Sequence, residues 1–460
     1  MQYTVSKSGP TIDTRATLSV FAALLLAADA QAQIALTTAP YEPDSGTISV
    51  HCGALIDGVA DAAQRDVTVR IEKGRVTAVQ PGAVAKDAQV LDLKGYTCLP
   101  GLTDMHTHIV EMSDTGDLSV YYKRTPDEQV ANGRRNALVT LQAGFTSIRD
   151  VGTYIAFTDK ALRDEINQGK TIGPRMQVAG FYLTIPGGGG DLVIPGHDES
   201  EIPAHTRYGV ARTPEEFARA AQRAIDGGAD LIKVIASGAV LAYGGVPGAR
   251  EMSEEDIAAV VKVAHANGRK VAAHAHGADS IKDAIRAGVD TIEHASLIDD
   301  EAIALAKEHD VALSMDVYNG DYIDTVGRAE HWPDEFLRKN LETTELQRQG
   351  FTKAYRAGVP IVFGTDAAVY PHGDNAKQFR IMVERGMTPM DAIKSATSVA
   401  AKYQGLSDRT GALTPGHFGD LIAVKGDPLQ DITVLEHVAV VIKGGLAYKL
   451  PVSTTQAVQR

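Results

Sequence analysis

"IRAGVDTIEH", Ile285–His294, is a fold unit in miniature: a helix end, a glycine, then an apolar strand. The order recurs in "LQAGFTSI" (Leu141–Ile148), "IDGGADLIKV" (Ile225–Val234) and "YRAGVPIVF" (Tyr355–Phe363). Glycine closes a helix because it takes the left-handed backbone at no steric cost. A short apolar run after it suits a strand buried on both faces. Working outward, eight such strands can be placed, over residues 103–108, 146–152, 175–182, 231–237, 271–276, 291–296, 311–316 and 361–367. Helical patterns separate most of them. One, "SEEDIAAVVKVAHANG", opens on Ser253 as N-cap and closes near Gly268. Eight strand–helix units predict an α/β chain with a (β/α)8 barrel of the TIM type over residues 101–405.

The flanks read differently. "ISVHCGALIDG" (Ile48–Gly58), "VTVRIEKGRVTAVQ" (Val67–Gln80) and "AQVLDL" (Ala88–Leu93) alternate apolar and polar residues around turns. The pattern returns in "DLIAVKGD" (Asp420–Asp427) and "VAVVIKGG" (Val438–Gly445). These stretches predict a small β-sandwich domain built from both chain ends, residues 47–100 and 406–450, with a tail over 451–460.

Residues 1–32 read as a secretory signal. Lys7 and Arg15 precede the apolar run "ATLSVFAALLLAA" (Ala16–Ala28), and Ala30 and Ala32 fit a cleavage site after Ala32. The run is too short to span a bilayer. A leader with a chance apolar patch is the competing reading. Export would deliver the mature chain, after a linker over 33–46, to the periplasm or beyond. Two cysteines, Cys52 and Cys98, do not make a disulfide framework; one bridge or two buried thiols both fit.

The bulk composition is globular, with 44% hydrophobic and 22% charged residues in 460. A formal net charge of −13 with no basic block argues against nucleic acid or an anionic membrane as partner. No later segment is apolar for long enough to span a membrane.

In a barrel of this type, side chains at the C-terminal ends of the strands converge. His106 and His108 end strand one, and their i, i+2 spacing puts both on one face. Lys233 sits inside "LIKVIA", His274 and His276 end strand five, His294 lies on strand six and Asp366 ends strand eight. Taken singly, each has a plain structural reading: a satisfied core histidine, a turn aspartate, a snorkelling lysine. Taken together, they are groups that cores exclude, gathered at one end of separate strands. Burying each unpaired would cost about 2–7 kcal/mol, and a shared cation removes that cost. Imidazole and carboxylate donors without cysteine suit Zn²⁺, with Mn²⁺, Co²⁺ or Fe²⁺ as substitutes. An ammonium cannot bind a cation, so Lys233 would be neutral or a carbamate, N6-carboxylysine, able to bridge two metals.

The order His-x-His, Lys, His, His, Asp, with "PGLTDMHTH", "TSIRDVG", "LIKVIASG", "VAAHAHG", "TIEHA", "GTDA" and "GALTPGHFGDLIAVKGDP", resembles the metal-dependent amidohydrolase superfamily. Within it the chain looks like the prolidase-like branch, and is especially similar to its ochratoxin-hydrolysing members. The resemblance runs from about Thr47 to Gly445. It implies two divalent ions: His106 and His108 on the more buried one, His274 and His294 on the other, carboxylated Lys233 between them. Asp366 would touch the first ion and the bridging hydroxide, and act as proton shuttle. His274 is favoured over His276 as ligand by its place in the strand. The implied substrate is a dipeptide or N-acyl amino acid cut at its C-terminal residue, including ochratoxin-type amides to phenylalanine. The implied assembly is a homo-oligomer.

A C-terminal residue brings a free carboxylate, and His276 and Tyr318 are the residues placed to meet it; Ser237 and Arg149 are weaker choices. The segment Pro186–His205, with its glycine run Gly187–Gly190, reads as a lid, a pocket wall or a surface loop, and His331–Trp332 as a possible apolar lining. The branch often carries a histidine in that glycine-rich segment, whereas here His197 lies well downstream. Two other functions compete. Cyclic amide hydrolysis would use the same metal site. A non-catalytic scaffold would be expected to have lost ligands, and all six are present.

Overall fold

The computed structural model describes residues 46–83, 90–111 and 116–451. The expected leader, most of the linker and residues 452–460 lie outside them. Four strands come first: β1 (Thr47–Leu55), β2 (Gln64–Glu72), β3 (Arg75–Pro81) and β4 (Val90–Pro100). Nine follow: β5 (Leu102–Thr107), β6 (Phe145–Asp150), β7 (Arg175–Val178), β8 (Tyr182–Leu183), β9 (Leu231–Ile235), β10 (Lys270–Gly277), β11 (Thr291–Leu297), β12 (Ala312–Ser314) and β13 (Ile361–Val362). The chain returns with β14 (Leu421–Val424), β15 (Val438–Lys443) and β16 (Leu446–Lys449).

Both chain ends do meet, but in one seven-stranded sheet, β16-β15-β14-β4-β1-β2-β3, not in two facing sheets of a sandwich. Strand β4 explains the difference. It runs parallel to β1 on one side and antiparallel to β14 on the other, so the two halves share a ladder and cannot separate. Their apolar faces form one core that includes Val50, Val69, Leu93, Leu421 and Ile442. Cys52 and Cys98 are joined as a disulfide, Cα atoms 5.9 Å apart, tying β1 to β4 beside a register shift.

The central strands are all parallel and fall into two sheets, β5-β6-β7 and β8-β9-β10-β11-β12-β13. The third expected strand is broken: Gly180, at φ +82°, splits it into β7 and β8. The eighth is cut to two residues because the chain leaves extended geometry before Asp366, at φ +57°. Backbone bonds still cross both gaps between the sheets. Asp230 N–H donates to Val178 O at 2.8 Å, and Met105 N–H to Phe363 O at 2.8 Å. A lone bridge pairs Thr107 with Ala367.

The helices start where their caps require. Ser253 and Asp256 form a capping box ahead of Glu254–Ala266, with Gly268 in the left-handed region just beyond. Thr125 and Glu128 do the same for Pro126–Gln142, with Pro126 in the first turn. Their apolar faces pack onto Phe145, Ile232, Val234, Val271, Ile292, Leu313 and Phe363, the core that fixes the strands. Among the described residues no helix is long and apolar enough to cross a membrane.

Candidate active site

The residues that end β5, β10 and β11, together with Lys233 and Asp366, meet in one cavity that opens to solvent. His106 and His108 face it together, as i, i+2 residues of a strand should, with ring centroids 5.4 Å apart. The row continues: His106 to His294 is 4.9 Å, and His294 to His274 and His276 is 4.5 and 4.7 Å. Lys233 is 1% exposed and lines the same cavity. Asp366 Oδ1 lies 3.1 Å from His108 Nε2 and 3.4 Å from His106 Nε2.

Most rings are held by one nitrogen and present the other. His108 Nδ1 lies 2.8 Å from the Gly152 carbonyl and 3.1 Å from the Tyr182 hydroxyl. His294 Nδ1 is 2.9 Å from Asp316 Oδ1, and His276 Nδ1 is 2.8 Å from Ser296 Oγ. His106 Nδ1 is 2.9 Å from Glu293 Oε2, a close contact whose alignment does not make a hydrogen bond. Outer partners of this kind fix the ring plane and tautomer of a metal ligand. His106 Nε2 and His274 Nε2 are buried with no hydrogen bond in the protein. A buried polar atom without a partner is costly, and both residues line the cavity.

The ligating atoms fall into two groups. Those of His274, His276 and His294 lie within 4.8 Å of one another, and so do those of His106, His294 and Asp366. Such histidine and carboxylate sets could hold divalent metal. The electrostatics agree with that use. Burial pulls His106 down to about 4 and His276 to about 3, so both rings are neutral at pH 7 with a lone pair to give. Burial also lowers Lys233 to about 8, with Glu293 and Asp366 opposing. Burial works against ionised Asp366, but its close contacts with the His106 and His108 rings outweigh it and hold the carboxyl below its ordinary range.

Every metal-ligating residue expected from the sequence is thus at the cavity, and so is His276. Tyr318 is not among the residues that line it. The chain enters a helical turn at Asn319, so Asn319 faces the cavity while the Tyr318 ring packs edge-on against Tyr370 at 4.9 Å. Trp332 is also buried elsewhere, in a cluster with Ile323, Val369 and Tyr370. The Pro186–His205 segment is a packed wall: Gly189 lines the cavity, and Leu192 and Ile194 bury against Leu118, Tyr121 and Phe336. His197 bonds Glu201 at 3.0 Å and does not line the cavity.

Several residues at the site carried no readable signal. Glu293 precedes His294, and neighbours on a strand should face opposite sides. Both face His106 because His294 and Ala295 adopt φ of +70° and +48°, which turns the strand over. Gln347, on the helix Asp334–Ala357, ties this turn down by donating to His294 O at 3.1 Å and Asp316 Oδ1 at 2.9 Å. Arg149, a weaker choice for the substrate carboxylate in the sequence, does not line the cavity and instead neutralises Glu293 from β6 at 2.6 Å. Tyr182, Tyr154 and Glu111 line the cavity wall on the His108 side.

Known proteins are similar to this chain in sequence and fold. The amidohydrolase family pattern matches residues 97–447. Ochratoxinase of Aspergillus niger is 33% identical over 370 residues, 77% of this chain and 76% of that protein. The crystal structure of that ochratoxinase superposes with a TM-score of 0.78 at 29% identity, over 88% of this chain and 96% of its own. A Xaa-Pro dipeptidase crystallised with methionine in its active site gives a TM-score of 0.82 at 36% identity, over 88% of this chain and 100% of its own. With residue order, cavity chemistry and relatives in agreement, the chain belongs to the amidohydrolase family and hydrolyses amide bonds.

Proposed function

We propose that this enzyme releases the C-terminal amino acid from dipeptides or N-acyl amino acids, including ochratoxin-type amides to phenylalanine, at a two-metal centre. The observation that carries the reading is the buried row of histidines with outward-held Nδ1 atoms and unpartnered Nε2 atoms on His106 and His274. His106, His108 and Asp366 would hold one ion, His274 and His294 the other, with Lys233 as carbamate between. Zinc is the first choice for this donor set. When bound, the two ions would make a water acidic enough to attack near neutral pH and would polarise the scissile carbonyl.

The protein's own residues do the rest. Asp366, ionised and held through Oδ2 by Asn319 Nδ2 at 3.2 Å, takes the proton of the attacking water and hands it to the leaving nitrogen. Gly152, Asp316 and Glu293 hold the imidazoles in place while charge moves. His276 and Ser296 lie on the far side of the row from His108 and would receive the substrate carboxylate. The two parallel sheets, bridged at both gaps, serve as one (β/α)8 barrel in this reading. The disulfide suits the export expected from the N-terminal segment, because such bonds persist in oxidising compartments. A homo-oligomer completes the proposal.

The test is a matched pair, a dipeptide ending in phenylalanine and its C-terminal amide, assayed with zinc supplied. Cleavage of the acid at least tenfold faster in kcat/KM is expected. Equal cleavage of both would remove the carboxylate-reading role.

A further inference from the structure

Glu111 has no part in the chemistry above, yet it stands at the cavity wall three residues after His108. It is 4% exposed. Its backbone is fixed: the N–H donates to His108 O at 3.0 Å, and Asn136 donates to its carbonyl at 2.8 Å. Side-chain Oε1 accepts from the Thr153 hydroxyl at 2.6 Å and the Tyr154 N–H at 3.0 Å. Oε2 is buried and accepts no hydrogen bond. A carboxyl oxygen buried without a hydrogen bond is costly to a fold, so a site that keeps it has a use for it.

The surroundings say what kind of partner it lacks. No lysine or arginine lines the cavity among the described residues, apart from Lys233 at the centre. Asn319 Oδ1 is a second buried acceptor without a donor. The wall beside Glu111 is aromatic: Tyr121 and Tyr182 flank Tyr154 at 5.0 and 5.1 Å. A buried carboxyl group beside aromatic rings attracts a cation with N–H groups, through charge, hydrogen bonding and ring faces. It repels a second carboxylate. The carboxylate end of a substrate therefore belongs on the His276 side, and a cationic group on the His108 side.

We infer that Glu111 receives an ammonium group on the acyl side of the scissile amide, so that a dipeptide with a free α-amine is favoured over its N-acylated counterpart. This rests on the proposed cleavage at a C-terminal residue, and narrows it.

The probes are glycyl-phenylalanine and N-acetyl-glycyl-phenylalanine, with the zinc-loaded full chain. The free amine is expected to win by at least tenfold in kcat/KM, chiefly through KM. That preference should fade as pH rises through about 8, where an α-ammonium loses its proton. In Glu111→Gln the ratio between the two substrates collapses towards one. A wild-type ratio near one, or a ratio that Glu111→Gln leaves intact, overturns the assignment while leaving C-terminal cleavage standing. If neither compound is cleaved, cleavage at a C-terminal residue fails, and calorimetry on Asp366→Asn decides Glu111 alone. There, tenfold tighter binding of the free amine supports the role, and equal binding overturns it.

Discussion

The two ends of the central strands bury charge in opposite ways. At the opening end, imidazoles, a lysine and carboxylates converge and leave His106 Nε2, His274 Nε2 and Glu111 Oε2 without hydrogen bonds in the protein. At the other end, buried charges pair with each other, although Arg175 Nη1 also lacks a hydrogen bond. Arg163 pairs with Asp230 at 2.5 Å, and Arg175 with Asp420 at 2.9 Å while stacked 3.7 Å over Phe418. Arg175 sits on β7 and Asp420 leads into β14, so this pair also clamps the central strands to the seven-stranded sheet. One end spends its buried polarity on staying folded; the other holds polarity open for something the chain does not contain.

Changes at the two ends should therefore separate in their effects. The largest expected effect is on rate. Asp366→Asn should lower kcat by about 10² to 10⁴, the range for losing a positioned acid–base group, with a melting temperature near wild type. A normal rate would remove Asp366 as proton carrier. Next comes Arg175→Met, which leaves Asp420 buried without its partner. Unfolding free energy should drop by about 3–5 kcal/mol, read by denaturant titration, with kcat retained in the fraction that folds. A fall in kcat without loss of stability would break the division between the ends.

How much of this was legible depends on whether a signal was local. His106 and His108 were readable because period two is a property of one strand. Lys233 stood out because a charge interrupts an apolar run. Glu293 was hidden, because its partner Arg149 is far along the chain and its direction depends on the turned-over backbone at His294. Tyr318 misled because an aromatic after a strand looks like a pocket residue, while one helical turn hands that place to Asn319. The sandwich became one sheet because strand pattern does not reveal that β4 pairs on both edges.

The left-handed turn at His294 gives the comparison a sharper test. Such a conformation costs about 1–3 kcal/mol and persists only where neighbours hold it. Gln347→Ala removes two of those holds and should weaken metal affinity by about 10- to 100-fold, measured by competition with a chelator. Unchanged affinity would mean that packing alone fixes the turn.

The smallest expected effect concerns Glu251, which accepts the Gly189 N–H at 2.9 Å and so pins the glycine run to the cavity rim. Burial raises its carboxyl to about 7. A raised folded-state value means the folded form binds the proton more tightly. This residue's contribution to stability should then rise as pH falls from about 7 towards 4.5 and level off below. The difference in melting temperature between wild type and Glu251→Gln should follow that curve; a flat difference would dissociate the rim from the titration.

The seven-stranded sheet has a consequence for how the chain is made. As synthesis proceeds, β1 to β4 can pair and β4 then offers a bare edge. Its cover, β14, is translated only after all the central strands and helices. Through that interval the nascent protein presents an apolar strand edge of the kind that templates aggregation. The last strands out of the ribosome act as a latch: until they arrive, the molecule has a site but an unsealed flank.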